Sequence, residues 1–364
     1  MPVLVVAGTR PEIIKLLPVM QTARARGDMA VELCHSGQHA DLGREILNAA
    51  GVVPDHLLER PQARDTAALL AGLQANIGEV INRMKPRAVV VQGDTATTLA
   101  GALAAFHRQI PIAHVEAGLR SHDLASPWPE EGYRRMVSAI ARWHFTPTPA
   151  ATEALRRENV AQEAITHTGN SVIDTLHWAV SRLDAEPALG GEAARLIEGA
   201  KGRNLVLATV HRREADAQAL GRIACGIRRL AEETGCHVAM PLHPRAESEI
   251  LSEALSGHPQ IALTGPLAYF AFLQLMRASR LILTDSGGVQ EEAAALGRAT
   301  LVLRDVTERP EAIAAGTAVL VGHDPDLMLA EARAALARPL PAPSDVFGDG
   351  RAGQRIVEVL ARDL

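Results

Sequence analysis

The run Val3-Leu4-Val5-Val6 is apolar at every position, and this lack of alternation constrains the fold more than any other feature. A strand with one wet face alternates apolar and polar residues. A strand of a parallel sheet, covered by helices on both faces, does not. Further short β-branched runs follow at Val31–Ser36, Ala88–Gln92 and Ile112–Val115, then at Leu205–Val210, His237–Leu242, Leu281–Thr284 and Thr300–Leu303, with longer helix-compatible stretches between them. The rhythm is that of βαβ units written twice, which predicts an α/β chain with two parallel sheets.

At 364 residues the chain exceeds the size at which a single core stops growing, so two domains are expected. The best boundary lies at Gly169–Asn170. Residues 1–168 then form an N-terminal Rossmann-like domain and residues 169–345 a C-terminal one, with Pro187–Gly191 a loose stretch and candidate hinge. Residues 346–364 contain an amphipathic run, Ala352–Leu364, that reads as a closing helix packed back on the first domain.

Composition excludes several classes. No segment approaches the ~20 apolar residues of a membrane span, and the opening, broken by Arg10, Pro11 and Glu12, reads as a strand and not a signal peptide. A net charge of −5 offers no global attraction to nucleic acid. Cys34, Cys225 and Cys236 are odd in number and widely spaced, which fits a reducing, cytoplasmic setting. Neither these cysteines nor His144, His167 and His177 have metal-ligand spacing. Those histidines are assigned to the surface or to packing, and Trp143 and Trp178 to the core.

In an open α/β sheet the ligand sits beyond the carboxyl ends of the strands, and there the sequence is polar. The first strand ends in Gly8-Thr9-Arg10-Pro11-Glu12, with Lys15 about one turn further on. Arg10 and Lys15 can face one anion, or they are solvated charges on a capped helix. Gly93-Asp94-Thr95 puts a carboxylate at another strand end, where Asp94 serves equally well as a helix cap. His114-Val115-Glu116 repeats the placement, and two such coincidences favour a site. In Ser126-Pro127-Trp128-Pro129-Glu130-Glu131, followed by Arg134, Glu130 and Arg134 stand four apart. An exposed salt bridge there is worth only about 0.3–0.5 kcal/mol.

The most specific stretch is Thr284-Asp285-Ser286-Gly287-Gly288-Val289-Gln290-Glu291-Glu292, which follows a buried strand and opens a helix. The backbone N–H groups of Ser286, Gly287 and Gly288 can approach a phosphate unobstructed, and the helix dipole favours an anion by about 0.3–1 kcal/mol. Glu292, a turn on, can accept ribose hydroxyls. His211-Arg212-Arg213-Glu214 and the segment containing Arg309 also follow strands and supply cations suited to phosphate. No GxGxxG or GxxxxGK[ST] pattern supports nicotinamide binding or P-loop chemistry.

Taken in order, Gly8–Glu12, Gly93–Thr95, His114–Arg120, Ser126–Glu131, Thr168–Asn170, His211–Glu214, Thr284–Glu292 and Thr307–Glu311 resemble the signatures of bacterial non-hydrolysing UDP-N-acetylglucosamine 2-epimerases. The resemblance runs from Met1 to about Gly322. It implies a GT-B fold, two Rossmann-like domains with an active site in the cleft between them. It further implies a catalytic face of Arg10, Lys15, Asp94, Glu116, Glu130 and Arg134, with His211 shared between catalysis and nucleotide binding. Phe272, Ser286, Gly287, Gly288, Glu292 and Arg309 would hold UDP. The family is commonly homodimeric and needs neither metal nor nicotinamide, so no cofactor is expected. The implied reaction is reversible C2 epimerisation of UDP-N-acetylglucosamine to UDP-N-acetylmannosamine, with UDP leaving to give a 2-acetamidoglucal and then readding. Which of Asp94, Glu116 and Glu130 is the base stays open.

Three departures from the family pattern stand out: Ala215 after His211–Glu214, Ala40-Asp41 after Gly37-Gln38-His39, and Pro241-Leu242-His243-Pro244-Arg245-Ala246. In some members a second substrate molecule acts as an activator in this region. Gln38, His39, Arg64 and His243 are the candidate contacts, and the departures put that activation in doubt. A hydrolysing relative, an epimerase of a modified aminosugar, a GT-B glycosyltransferase and a silent sugar-nucleotide sensor are the alternatives. The three acids disfavour the last two.

Overall fold

The computed structural model describes residues 2–39, 43–210, 216–242 and 246–364. It divides into two compact units, Met1–Thr175 with Gly348–Leu364, and Leu176–Phe347.

The first unit holds strands β1 (Val3–Ala7), β2 (Val31–His35), β3 (His56–Leu57), β4 (Val89–Gln92), β5 (Ile112–Val115), β6 (Trp143–Thr146) and β7 (Ile165–His167). They form one sheet in the order β3-β2-β1-β4-β5-β6-β7, with every pairing parallel. All five residues of β1 are buried, as expected of a strand with helices on both faces. The direction of winding reverses between β1 and β4, which makes their carboxyl ends the natural ligand crevice.

Helix Arg10–Arg26 starts in that crevice. Thr9 caps it, with Glu12 completing a capping box, and Pro11 occupies the first turn, where its missing N–H costs nothing. Pro18 lies further inside the helix and cannot donate to the carbonyl four residues back. The Thr175 hydroxyl fills that role, donating to the Ile14 carbonyl at 2.5 Å.

Helix Ala352–Asp363 packs against the same element. A Cβ on Gly353 would lie 2.8 Å from Pro18, so only glycine permits the approach. The Asp174 carboxylate accepts from the N–H groups of Ala352 at 3.2 Å and Gly353 at 2.8 Å, and so closes the N-terminus of this last helix. At the other end, Asp363 accepts from the indole of Trp143 at 2.8 Å.

The second unit holds β8 (Leu205–Thr209), β9 (His237–Pro241), β10 (Ile261–Thr264), β11 (Leu281–Thr284), β12 (Ala299–Val302) and β13 (Ala318–Leu320). The order is β10-β9-β8-β11-β12-β13, again wholly parallel, with the switch point between β8 and β11. Helix Gly287–Ala295 begins directly beyond β11.

Five of these strands, β3, β6, β7, β10 and β13, were not expected from apolar runs. Each is short, and Trp-His-Phe-Thr and Ile-Thr-His carry polar side chains that break the pattern. Trp143 is buried as expected, whereas Trp178 is only half-buried, its ring centroid 5.8 Å from that of Phe270. Among the described residues no helix is long and apolar enough to cross a membrane.

Candidate active site

At the crevice of the first unit the polar residues form two charged clusters. Glu116, one residue past β5, sits in the left-handed region at φ 63°, a conformation that costs a non-glycine residue energy and tends to persist where a side chain must be aimed. Its buried carboxylate accepts from Lys15 Nζ at 2.5 Å and Asn170 Nδ2 at 3.0 Å on Oε1, and from the Gln92 amide on Oε2. Lys15 therefore does not simply share an anion with Arg10. It is the ion-pair partner of Glu116, and Arg10 lies half-buried at the first position of the helix.

The second cluster joins Asp94 to Arg134. The guanidinium donates to Asp94 Oδ2 through Nε at 2.8 Å and Nη2 at 2.7 Å, and reaches the fully buried Glu131 at 3.4 Å. Two alternatives that the sequence leaves open are narrowed here. The partner of Arg134 is not confined to its own helix, since the guanidinium pairs with Asp94 across the fold. Asp94 is not a helix cap either, because Thr95 caps helix Ala96–Phe106 and frees the carboxylate for the arginine. Glu131 accepts from Ser121 N–H at 3.0 Å and Arg135 Nε at 3.1 Å, and thus anchors Arg134 from behind. Glu130 is half-buried at the first residue of helix Glu130–Ile140.

Beneath these clusters lie two motif residues, Glu12 and His114, that stand outside the candidate set. Glu12 is completely buried and cross-links two crevice loops. It accepts from Gly8 N–H at 2.9 Å and Thr9 N–H at 2.7 Å on one oxygen, and from the hydroxyls of Thr95 at 2.6 Å and Thr98 at 3.1 Å on the other. Burial pushes its pKa up, while these four donors oppose the shift. His114 lies 2.8 Å from the Gly93 carbonyl through Nε2. The carbonyl can only accept, so the proton is on Nε2 and the neutral ring anchors the turn carrying Asp94. Burial depresses the His114 pKa to about 3 and that of His144, its neighbour on β6, to about 4.

Of the candidate activator contacts, Gln38 turns inward. Its Oε1 accepts from Thr97 N–H at 3.1 Å and Thr97 Oγ1 at 2.7 Å, tying the loop after β2 to the start of helix Ala96–Phe106. The His39 backbone N–H donates to the Gly8 carbonyl at 2.8 Å, and Arg64 is exposed. His211 and His243 lie outside the described residues, as does the rest of the His211–Ala215 stretch.

In the second unit the small-residue turn is built as the sequence predicts. Ser286 is the N-cap of helix Gly287–Ala295, and its side chain does not bond the helix. A Cβ on Gly288 would meet nothing within 4 Å, whereas one on Gly287 would lie 3.3 Å from the Arg309 guanidinium. Arg309 therefore sits beside the helix N-terminus, where its charge reinforces the dipole. Glu291 holds it in a buried ion pair, and its backbone N–H donates to Thr307 Oγ1 at 3.1 Å. Glu292 accepts from the Tyr269 hydroxyl at 2.9 Å. Phe272 is half-buried and packs on the apolar cluster around Leu275 and Ile282. Tyr269 and Glu291 were missed, since nothing in their spacing marks them as partners of Glu292 and Arg309.

Two units, each a doubly wound parallel sheet with polar groups at its switch point, constitute the GT-B architecture. A family profile described as UDP-N-acetylglucosamine 2-epimerase matches residues 21–361. The UDP-N-acetylglucosamine 2-epimerase of Escherichia coli (strain K12) is 38% identical over 373 residues, covering 99% of this chain and 98% of that protein. The crystal structure of the enzyme from Neisseria meningitidis bound to UDP-GlcNAc superposes with a TM-score of 0.93 at 34% identity and complete coverage of both chains. That of the Methanocaldococcus jannaschii enzyme, in complex with UDP-GlcNAc and UDP, gives 0.88 at 32% identity, also with complete coverage of both. The chain belongs to the UDP-N-acetylglucosamine 2-epimerase family.

Proposed function

We propose that the protein interconverts UDP-N-acetylglucosamine and UDP-N-acetylmannosamine without net hydrolysis, acting as a cytoplasmic homodimer. The hydrogen on C2 of the sugar is not acidic, because no carbonyl adjoins it, so direct deprotonation is slow and the leaving of UDP must assist it. A carboxylate takes the C2 proton, the C2–H electron pair becomes the C1=C2 bond of a 2-acetamidoglucal, and the pair of the breaking C1–O bond leaves with UDP. In the return step C2 receives a proton on the opposite face and the same UDP oxygen adds to C1. No atom is lost.

Asp94, Glu116 and Glu130 supply the proton-transfer groups. Arg10, Lys15, Arg134 and His211 serve the reacting sugar and the departing diphosphate. Ser286, Gly287, Gly288 and Arg309 hold phosphate, Glu292 the ribose, and Phe272 the base. The observation that carries this reading is the buried Lys15–Glu116 pair at 2.5 Å. An ammonium beside an ionised carboxylate at the mouth of a sheet offers a proton acceptor and a cation for a leaving anion in one place. Such acid–base assistance contributes about 10²–10⁴-fold.

The test is incubation with UDP-N-acetylglucosamine in deuterated water, with nuclear resonance following C2 and the products. Deuterium at C2 together with a UDP-N-acetylmannosamine signal supports the proposal. Free N-acetylmannosamine with UDP replaces it with a hydrolysing enzyme, and bound but unchanged substrate points to another sugar or to transfer. Light scattering should give twice the 38.8 kDa of the chain. A sigmoidal rate curve would support an activator site at Gln38, His39, Arg64 and His243, and a hyperbolic one would remove it.

A further inference from the structure

We infer that Asn170 is a positioning residue for Glu116, and that residues 170–175 are the common support of the Lys15–Glu116 pair. The inference rests on the proposed role of Glu116. The orientation of the Asn170 amide follows from chemistry. Val172 N–H, at the start of helix Val172–Ala185, can only donate, so the atom 3.1 Å from it is Oδ1. Nδ2 is then left facing Glu116 Oε1 at 3.0 Å. One side chain thus caps an orphan helix donor and directs a carboxylate 54 positions away in sequence.

The same short segment holds the other partner. Ser171 Oγ donates to the Lys15 carbonyl at 2.6 Å, and Thr175 Oγ1 donates to Ile14, whose carbonyl Pro18 leaves unmet. Lysine and glutamate are therefore registered against each other through a third element. Asn170 is 2% exposed, so water does not readily replace its N–H. Lys15 supplies the charge that faces Glu116, while Asn170 and Gln92 determine which way its oxygens point.

Asn170→Asp tests the inference, because it keeps an acceptor for Val172 N–H and turns the donor facing Glu116 into a carboxylate oxygen. Turnover number should fall by about 10- to 100-fold, the range expected for a hydrogen bond to a charged group. The acidic limb of its pH profile should move upward as Glu116 binds its proton more tightly. KM and the affinity for UDP should stay within about threefold. Asn170→Ser, neutral and too short to reach Glu116, should lose turnover with a smaller upward shift, that of a lost donor without an added charge. It decides the matter if the aspartate variant does not fold. Unchanged turnover and pH profile in the folded variant, with Glu116→Gln inactive, would overturn the inference and leave the role of Glu116 intact. Full turnover in Glu116→Gln would overturn that role itself.

Discussion

Glu116→Gln preserves shape and removes one charge, and the structure fixes what should follow. Lys15 Nζ stands 2.5 Å from Glu116 Oε1, with only 10% and 6% of the two side chains exposed. At an effective dielectric near 20 the bare attraction is about 7 kcal/mol, most of it offset by the desolvation of both groups. Removing one partner of a buried pair costs about 3–5 kcal/mol, since the other charge stays buried. Glutamine can direct its carbonyl at Lys15 and Asn170 and its amide at Gln92, whose own amide can turn to accept. The cost should therefore fall near the lower end, about 3 kcal/mol. For a unit of this size that corresponds to a melting shift of about 6–12 °C. Turnover should drop by about 10²–10⁴-fold. Calorimetry and the deuterium-exchange assay measure the two effects separately. Adding Lys15→Met should restore much of the stability and none of the activity, because the pair then disappears as a pair. A melting point within about 1 °C of the parent and turnover within threefold would refute the reasoning.

Three further outcomes are expected. Tyr269→Phe removes the hydroxyl that orients Glu292 and should weaken UDP binding by about 5- to 10-fold in titration calorimetry, the worth of one hydrogen bond, with turnover at saturation nearly unchanged. Gly288→Ala meets no atom within 4 Å, so the melting point should hold while UDP affinity falls by about tenfold or more. An unaltered affinity would place the diphosphate elsewhere. His114 and His144 have folded pKa values near 3 and 4, below the ordinary 6.5. Between pH 6.5 and 4 the unfolded chain therefore binds more protons than the folded one, and each histidine contributes stability that is complete above about 6.5 and is lost on acidification. Each adds up to about 1.4 kcal/mol per pH unit. His114→Gln should flatten urea-derived stability across that window, and an unchanged slope would show that the ring is already charged.

The elements legible in the sequence were those for which burial dictates composition. β1, β4, β8 and β11 lie inside their sheets and are apolar, save for the polar last residue of β4, β8 and β11, so their ends, and the acids and small residues just beyond, could be located directly. Edge strands such as the two-residue β3 need no such composition and left no signal. The acids at the crevice were legible by position, but their partners were not. Lys15 and Glu116 lie 101 positions apart and Asp94 and Arg134 lie 40 apart, and only a completed fold brings them together. The i,i+4 spacing of Glu130 and Arg134 pointed only to a local bridge, because helix geometry is the only proximity a sequence displays. Glu12 shows the converse limit. A charge in a first helical turn reads as a solvated cap, and only the converging hydroxyls of Thr95 and Thr98 reveal it as a buried tie.

The packing of helix Ala352–Asp363 on helix Arg10–Arg26 makes the first unit discontinuous in sequence, whereas the second runs unbroken from Leu176 to Phe347. On the ribosome the order of completion is therefore reversed with respect to the order of synthesis. The seven-stranded sheet is made first, yet it waits through the whole of the second unit for the helix that covers Pro18. During that interval the surface destined for Gly353 and the Asp174 carboxylate destined to cap it stand exposed in a nascent chain. The helix bearing Lys15 thus gains its contact with Gly353 only after the whole of the second unit has been synthesised.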